Sequence, residues 1–154
     1  MSHYFFDSSA LVKRYAQEPG TDWVRAICLP ARGNTVIVAQ ITQIEIMSAV
    51  MRRVREGAYS MRAAKAVRLL VEYHLRQEYV VIGLNPMVID RAQEALETYP
   101  LRAYDAVQLA SALEAQVHLV AGGLTSVIFV ASDDRLLEAA AAAGLITESP
   151  QHDR

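Results

Sequence analysis

The chain reads as an α/β fold on a mostly parallel sheet covered by helices on both faces, and three observations carry that reading. Short β-branched and aromatic runs alternate with longer segments of helical period, the signature of strand–helix–strand units. The runs are too apolar for a half-exposed sheet, as expected of strands buried on two sides. Finally, 154 residues, 53% of them hydrophobic and 21% charged, suffice for one core and not for two ordinary ones, so residues 1–154 are expected to form one domain.

The elements follow in order. His3-Tyr4-Phe5-Phe6 is a first strand, Asp7-Ser8-Ser9 a turn, and residues 10–15 a helix. Glu18-Pro19-Gly20-Thr21-Asp22 breaks the chain, after which Trp23, Ala26 and Ile27 recur at helical spacing as far as Pro30. Residues 36–39, preceded by Gly33-Asn34, make a second strand, and a helix over 42–57 sets Met47, Val50, Met51 and Val54 on one face. Ser60 opens a helix ending near Gln77, with Met61, Ala64, Val67 and Leu70 as its stripe. Residues 79–82 are a third strand, and Pro86 begins the next helix. Residues 103 to about 116 are helical, Gly122-Gly123 is a turn, and 127–131 is a fourth strand. A last helix over 133–143 stops at Gly144, and Leu145-Ile146 is a short final strand.

Composition narrows the function. No apolar run reaches the roughly 18 residues of a spanning helix, and Asp7 and Lys13 interrupt any export signal, so a cytoplasmic protein without membrane association is expected. The lone Cys28 forms no intrachain disulfide and is expected to be packed and inert. A net charge of −2 argues against holding nucleic acid by the overall field. Locally, however, Arg52, Arg53, Arg55, Arg62, Lys65 and Arg68 face only Glu56 over residues 51–68, a basic stretch that suits phosphates or simply a solvated helix surface.

Four acids stand where such a sheet places its ligand site, outside the carboxyl ends of the strands. Asp7 follows the first strand, Asp133 lies two residues past the fourth, Glu45 is on the first turn after the second, and Asp105 begins the helix leading into the fourth. Each has an ordinary reading. Asp7 and Asp133 suit helix caps, Thr42-Gln43-Ile44-Glu45 suits a capping box, and Asp105 suits the positive end of a helix dipole. Together, four carboxylates at one edge would repel one another unless a cation neutralised them. A hard divalent ion such as Mg²⁺ fits oxygen donors, whereas His3, His74, His118 and His152 are scattered and no HExxH occurs, which argues against zinc. A metal-activated water and a stabilised phosphoryl oxygen amount to phosphodiester hydrolysis. Arg52, two turns beyond Glu45 on the same face, is placed to steady a phosphate, or else to pair with Glu56.

At these residues the chain resembles the PIN-domain family, specifically the VapC-type ribonuclease toxins of toxin–antitoxin pairs. The resemblance rests on Phe6-Asp7-Ser8-Ser9-Ala10-Leu11-Val12-Lys13, on Glu45, on Tyr104-Asp105-Ala106-Val107-Gln108-Leu109-Ala110 and on Ala131-Ser132-Asp133-Asp134-Arg135-Leu136-Leu137. It implies a three-layer α/β/α sandwich and an acidic pocket of Asp7, Glu45, Asp105 and Asp133 that binds Mg²⁺ or Mn²⁺ and cleaves RNA. Carried across, Asp7 and Asp105 are direct metal ligands, Glu45 positions the water or acts as its base, Asp133 completes a second ion site, and Ser9 supports Asp7. The resemblance also implies a homodimer and a small antitoxin partner.

Two other enzyme or signalling readings fit less well. A haloacid dehalogenase-type phosphatase needs an acid two residues after Asp7, where Ser9 stands, and a receiver-like module needs a phosphoaccepting Asp after its central strand, where residues 83–86 read Gly-Leu-Asn-Pro. The non-enzymatic alternative is a catalytically silent PIN fold that binds RNA or its antitoxin.

Overall fold

The computed structural model describes residues 1–151, so His152 lies outside the described residues. Among them, β1 (His3–Phe6), β2 (Thr35–Ala39), β3 (Tyr79–Ile82), β4 (Val127–Val130) and β5 (Ile146–Glu148) form one sheet in the order β3-β2-β1-β4-β5. Every neighbouring pair is parallel. Parallel neighbours require crossovers, which are supplied by α1 (Ser8–Tyr15), α2 (Thr21–Cys28), α3 (Thr42–Arg55), α4 (Met61–Gln77), α5 (Pro86–Thr98), α6 (Ala103–Ala121) and α7 (Asp134–Ala142).

Strand alternation assigns the two faces. Phe5, Ile37 and Phe129 pack with Val88, Leu109 and Leu136 beneath α5, α6 and α7. Phe6, Val38 and Val130 point the other way, into Leu11, Val24, Val50 and Val71 from α1 to α4. The result is the three-layer α/β/α sandwich, with full burial of each large apolar side chain contributing roughly 1.5–3 kcal/mol. Polar groups tie α1 to β3 and α4: Arg14 donates to the Tyr79 hydroxyl (2.6 Å) and Glu78 (2.8 Å), while the Tyr15 hydroxyl lies 2.7 Å from both the Tyr79 hydroxyl and His74 Nδ1. Cys28 is buried, and burial pushes its thiol up to about 11, so it stays protonated and unreactive near neutrality.

Three details depart from the sequence reading. At the sheet edge, Val80 and Val81 of β3 are 48% and 39% exposed, and among the described residues no strand lies beyond β3. On α4 the inward stripe is Ala64, Val67, Val71 and His74, and Met61 and Leu70 face outward. Third, α6 continues to Ala121, absorbing half of what reads as a long connection before β4.

The topology then locates a site. From β1 the chain winds outward through β2 to β3, and later returns to lay β4 on the opposite side of β1. Crossovers on either side of β1 and β4 therefore diverge, opening a crevice beyond the carboxyl ends of those two strands.

Candidate active site

Asp7 occupies that crevice by backbone constraint. Its amide donates to the Val130 carbonyl (3.0 Å), prolonging the β1–β4 pairing by one step. Its carboxylate caps α1, accepting from the Ala10 amide (3.0 Å) and from the Ser9 hydroxyl at 2.7 and 2.9 Å. The Ser9 hydroxyl oxygen accepts in turn from the Ser132 amide (3.0 Å), joining the ends of β1 and β4 through one side chain. Burial pushes the Asp7 carboxyl up to about 7, the donors from Ser9 and Ala10 notwithstanding, and the charge of Glu45 adds to the rise.

Glu45 does not close a capping box. The N-cap of α3 is Ile41, which makes Thr42 the first helical residue and leaves Glu45 one position too far along to reach back to the cap amide. Its carboxylate instead accepts from Gln108 Nε2 (2.8 Å) on α6 and from the Ser8 hydroxyl. Its pKa is raised by burial first, with Asp105 adding to the rise against those two donors.

Asp105 and Asp133 complete the set from the other wall. Asp105 lies in the first turn of α6, its pKa raised by burial and then by Asp133, and opposed by a hydrogen bond with the Arg102 backbone and by the Arg102 and Arg135 guanidinium groups. Asp133 caps α7, accepting from the Arg135 (2.9 Å) and Leu136 (3.4 Å) amides. The cap readings of Asp7 and Asp133 thus hold without removing either residue from the cleft lining, Asp7 buried there and Asp133 exposed.

All four acids line one cleft of about 1000 Å³ together with Ser9 and Arg52. The electrostatic influences form a chain, Asp7 with Glu45, Glu45 with Asp105, and Asp105 with Asp133, so acids remote in sequence act on one another. Asp134 stands outside the lining. Arg52 makes no ion pair with Glu56 among the described residues, although the Glu56 amide still bonds the Arg52 carbonyl (3.0 Å).

The donor set fits a hard divalent cation. It consists of carboxylate and hydroxyl oxygens, and three of its acids have pKa values raised in a way that a positive charge would relieve. Among the described residues no three His, Cys, Asp or Glu side chains form a tight cage. Mg²⁺ needs none, since it keeps several waters and takes one or two carboxylates directly.

Sequence reasoning passed over Gln108, Ser132, Arg102 and Arg135. Gln108 had a readable signal: it is the one amide in the otherwise small and apolar stretch 106–113, so it had to find a buried partner. The two arginines became visible only when α6 and α7 were brought to one rim.

The PIN domain profile matches residues 4–142, a span that contains all four acids. The chain belongs to the PIN-domain family. Its fold is shared with FitAB bound to an IR36 DNA fragment, at TM-score 0.67 and 12% identity over 98% of this chain and 97% of that one. It is shared also with VapBC2 from Rickettsia felis bound to a DNA fragment from their promoter (TM-score 0.61, 14% identity, 96% and 98% covered). FitAcB from Neisseria gonorrhoeae has the same fold (TM-score 0.59, 13% identity, 97% and 99% covered). No curated protein matches this PIN chain in sequence.

Proposed function

We propose that this PIN domain, taken as one unit over residues 1–154, is a Mg²⁺- or Mn²⁺-dependent endoribonuclease. In this reading it is the toxin of a type II toxin–antitoxin pair, a cytoplasmic homodimer restrained by a small antitoxin. The observation that carries the chemistry is the meeting of Asp7, Glu45, Asp105 and Asp133, from four separate stretches of chain, in one cleft at the switch point of the sheet. The resemblance to VapC-type toxins, and a fold shared with FitAB and VapBC2, support the biological role.

Asp7 and Asp105 are the proposed metal ligands, with Asp133 available for a second ion. When bound, the cation supplies an acidified water and charge stabilisation at a phosphoryl oxygen. Ser9 steadies Asp7 with its one hydroxyl proton, shared between the two carboxylate oxygens at 2.7 and 2.9 Å. Glu45 orients the attacking water or takes its proton, a task suited to a carboxylate that burial makes more basic than an exposed one. Arg52, facing the same cleft, holds a neighbouring phosphate.

The protein freed of any partner is expected to cut RNA with Mg²⁺ or Mn²⁺ and to stop on addition of EDTA. Asp7→Asn and Asp105→Asn should each lower the rate at least about 10³-fold, equivalent to about 4 kcal/mol of lost transition-state stabilisation. RNA left intact with every metal, yet bound tightly, would establish the silent binding module instead.

A further inference from the structure

Gln108 presents an unusual account of its hydrogen bonds. It is 1% exposed in the second turn of α6, between Ala106 and Leu109, which are both fully buried. Both protons of its amide nitrogen are committed, one to Thr42 Oγ1 (3.0 Å) and one to Glu45 Oε1 (2.8 Å). Its carbonyl oxygen is buried with no partner. The amide cannot be turned round to cure this, because a carbonyl oxygen directed at the Glu45 carboxylate would set two acceptors against each other. An apolar side chain of similar volume would leave no orphaned carbonyl, so the core alone gives no reason for glutamine here.

The two acceptors show what the amide accomplishes. Thr42 is the first residue of α3 and Glu45 lies one turn later, so the single nitrogen of Gln108 grips that turn at two points from across the core. Three residues before Gln108 on α6, and hence on the same face, stands Asp105. One helix therefore presents one acid to the cleft and dictates the placement of another that belongs to a different helix.

We propose that Gln108 is a positioning residue of the proposed nuclease site: it locks the direction of the Glu45 carboxylate and the distance from Glu45 to Asp105, accepting an orphaned carbonyl to do so. This rests on the reading of the cleft as a metal-dependent nuclease. Gln108 touches neither substrate nor cation itself.

The test uses Gln108→Met, which keeps the volume and loses the donors, and Thr42→Val/Gln108→Met, which also removes the hydroxyl left behind. Thermal midpoint, Mn²⁺ affinity by titration calorimetry, and kcat and KM on RNA are measured for each. Both variants are expected to fold and melt within a few degrees of the wild type. Mn²⁺ should bind at least about fivefold more weakly, and kcat should fall at least about tenfold with KM nearly unchanged. Wild-type kcat and Mn²⁺ affinity in the double variant would overturn the proposal and reduce Gln108 to a packing residue. Loss of both stability and kcat in Gln108→Met, with the two restored together in the double variant, would overturn it as well. Should the wild type cut no RNA at all, the nuclease reading fails separately, and the Mn²⁺ affinities still decide whether Gln108 sets the geometry of the acids.

Discussion

Asp7 is held in an environment that its hydrogen bonds only partly repair. Its carboxyl titrates near 3.8 when unperturbed and about 7 in the fold, with burial the largest cause. Between those values the folded chain keeps a proton that the unfolded chain has lost, so the associated stability is complete below about pH 4 and is lost as pH rises to 7. For a group this deeply buried the loss is on the order of 4 kcal/mol. Urea denaturation in EDTA from pH 4.5 to 8 should show declining stability for the wild type. Asp7→Asn, which remains a competent cap, should give a flatter profile and the more stable protein at pH 8. Parallel profiles would mean that Asp7 ionises freely in the fold. Among the acids, Asp7 was readable from sequence because a strand end fixes its location whatever its partners. Glu45 was readable as a member of the cleft but not in its bonding, since the choice between capping box and Gln108 turned on the helix starting one residue earlier than Thr42 suggests.

Helices deliver the acids, and their starts matter more than their middles. Asp7 and Asp133 are N-caps, and Glu45 and Asp105 lie in first turns, so each carboxylate is aimed by the least ambiguous part of its helix. Helix-opening residues and apolar period made several element boundaries readable, as with Ser60 before α4 and Pro86 at the first position of α5. What sequence does not display is the clamp between elements. Glu18, in the loop after α1, accepts from Lys13 (2.9 Å) on α1 and from Arg53 (2.7 Å) on α3, holding the helix that carries Asp7 against the one that carries Glu45. The loop then enters α2 through Gly20 at φ +92°, where an added Cβ would meet the Pro150 carbonyl oxygen at 2.7 Å. Gly20→Ala is accordingly expected to lower unfolding free energy by about 1–3 kcal/mol in a denaturant titration. Cleavage per folded molecule should be retained, because Gly20 lies away from the cleft lining. A neutral substitution would show that the loop relaxes without cost.

At the scale of the whole molecule, charge is arranged against attraction at long range. The chain carries a net −2, and four of its acids gather in the cleft where a polyanion would have to enter. Binding RNA there requires cations on the walls of the same cleft, and Arg52, Arg102 and Arg135 line it. Arg53 and Arg68, from the basic stretch, are engaged by Glu18 and Glu72 respectively, so that stretch does not act as one free patch. The number of phosphates neutralised should therefore be small. For single strands the logarithm of affinity falls with that of salt by about 0.7 per phosphate, so three contacts give a slope of about −2. Binding of a short single-stranded RNA to the Asp105→Asn protein, in which the proposed cleavage should be suppressed, measured in Mg²⁺ at several KCl concentrations, should give that slope. Arg52→Ala in the same background should make it shallower by about 0.7 and weaken binding alike for every sequence tried. A slope several times steeper, indifferent to Arg52, would place the RNA on the outer faces of α3 and α4 rather than across the acids, and the cleft would then have to act without a local phosphate anchor.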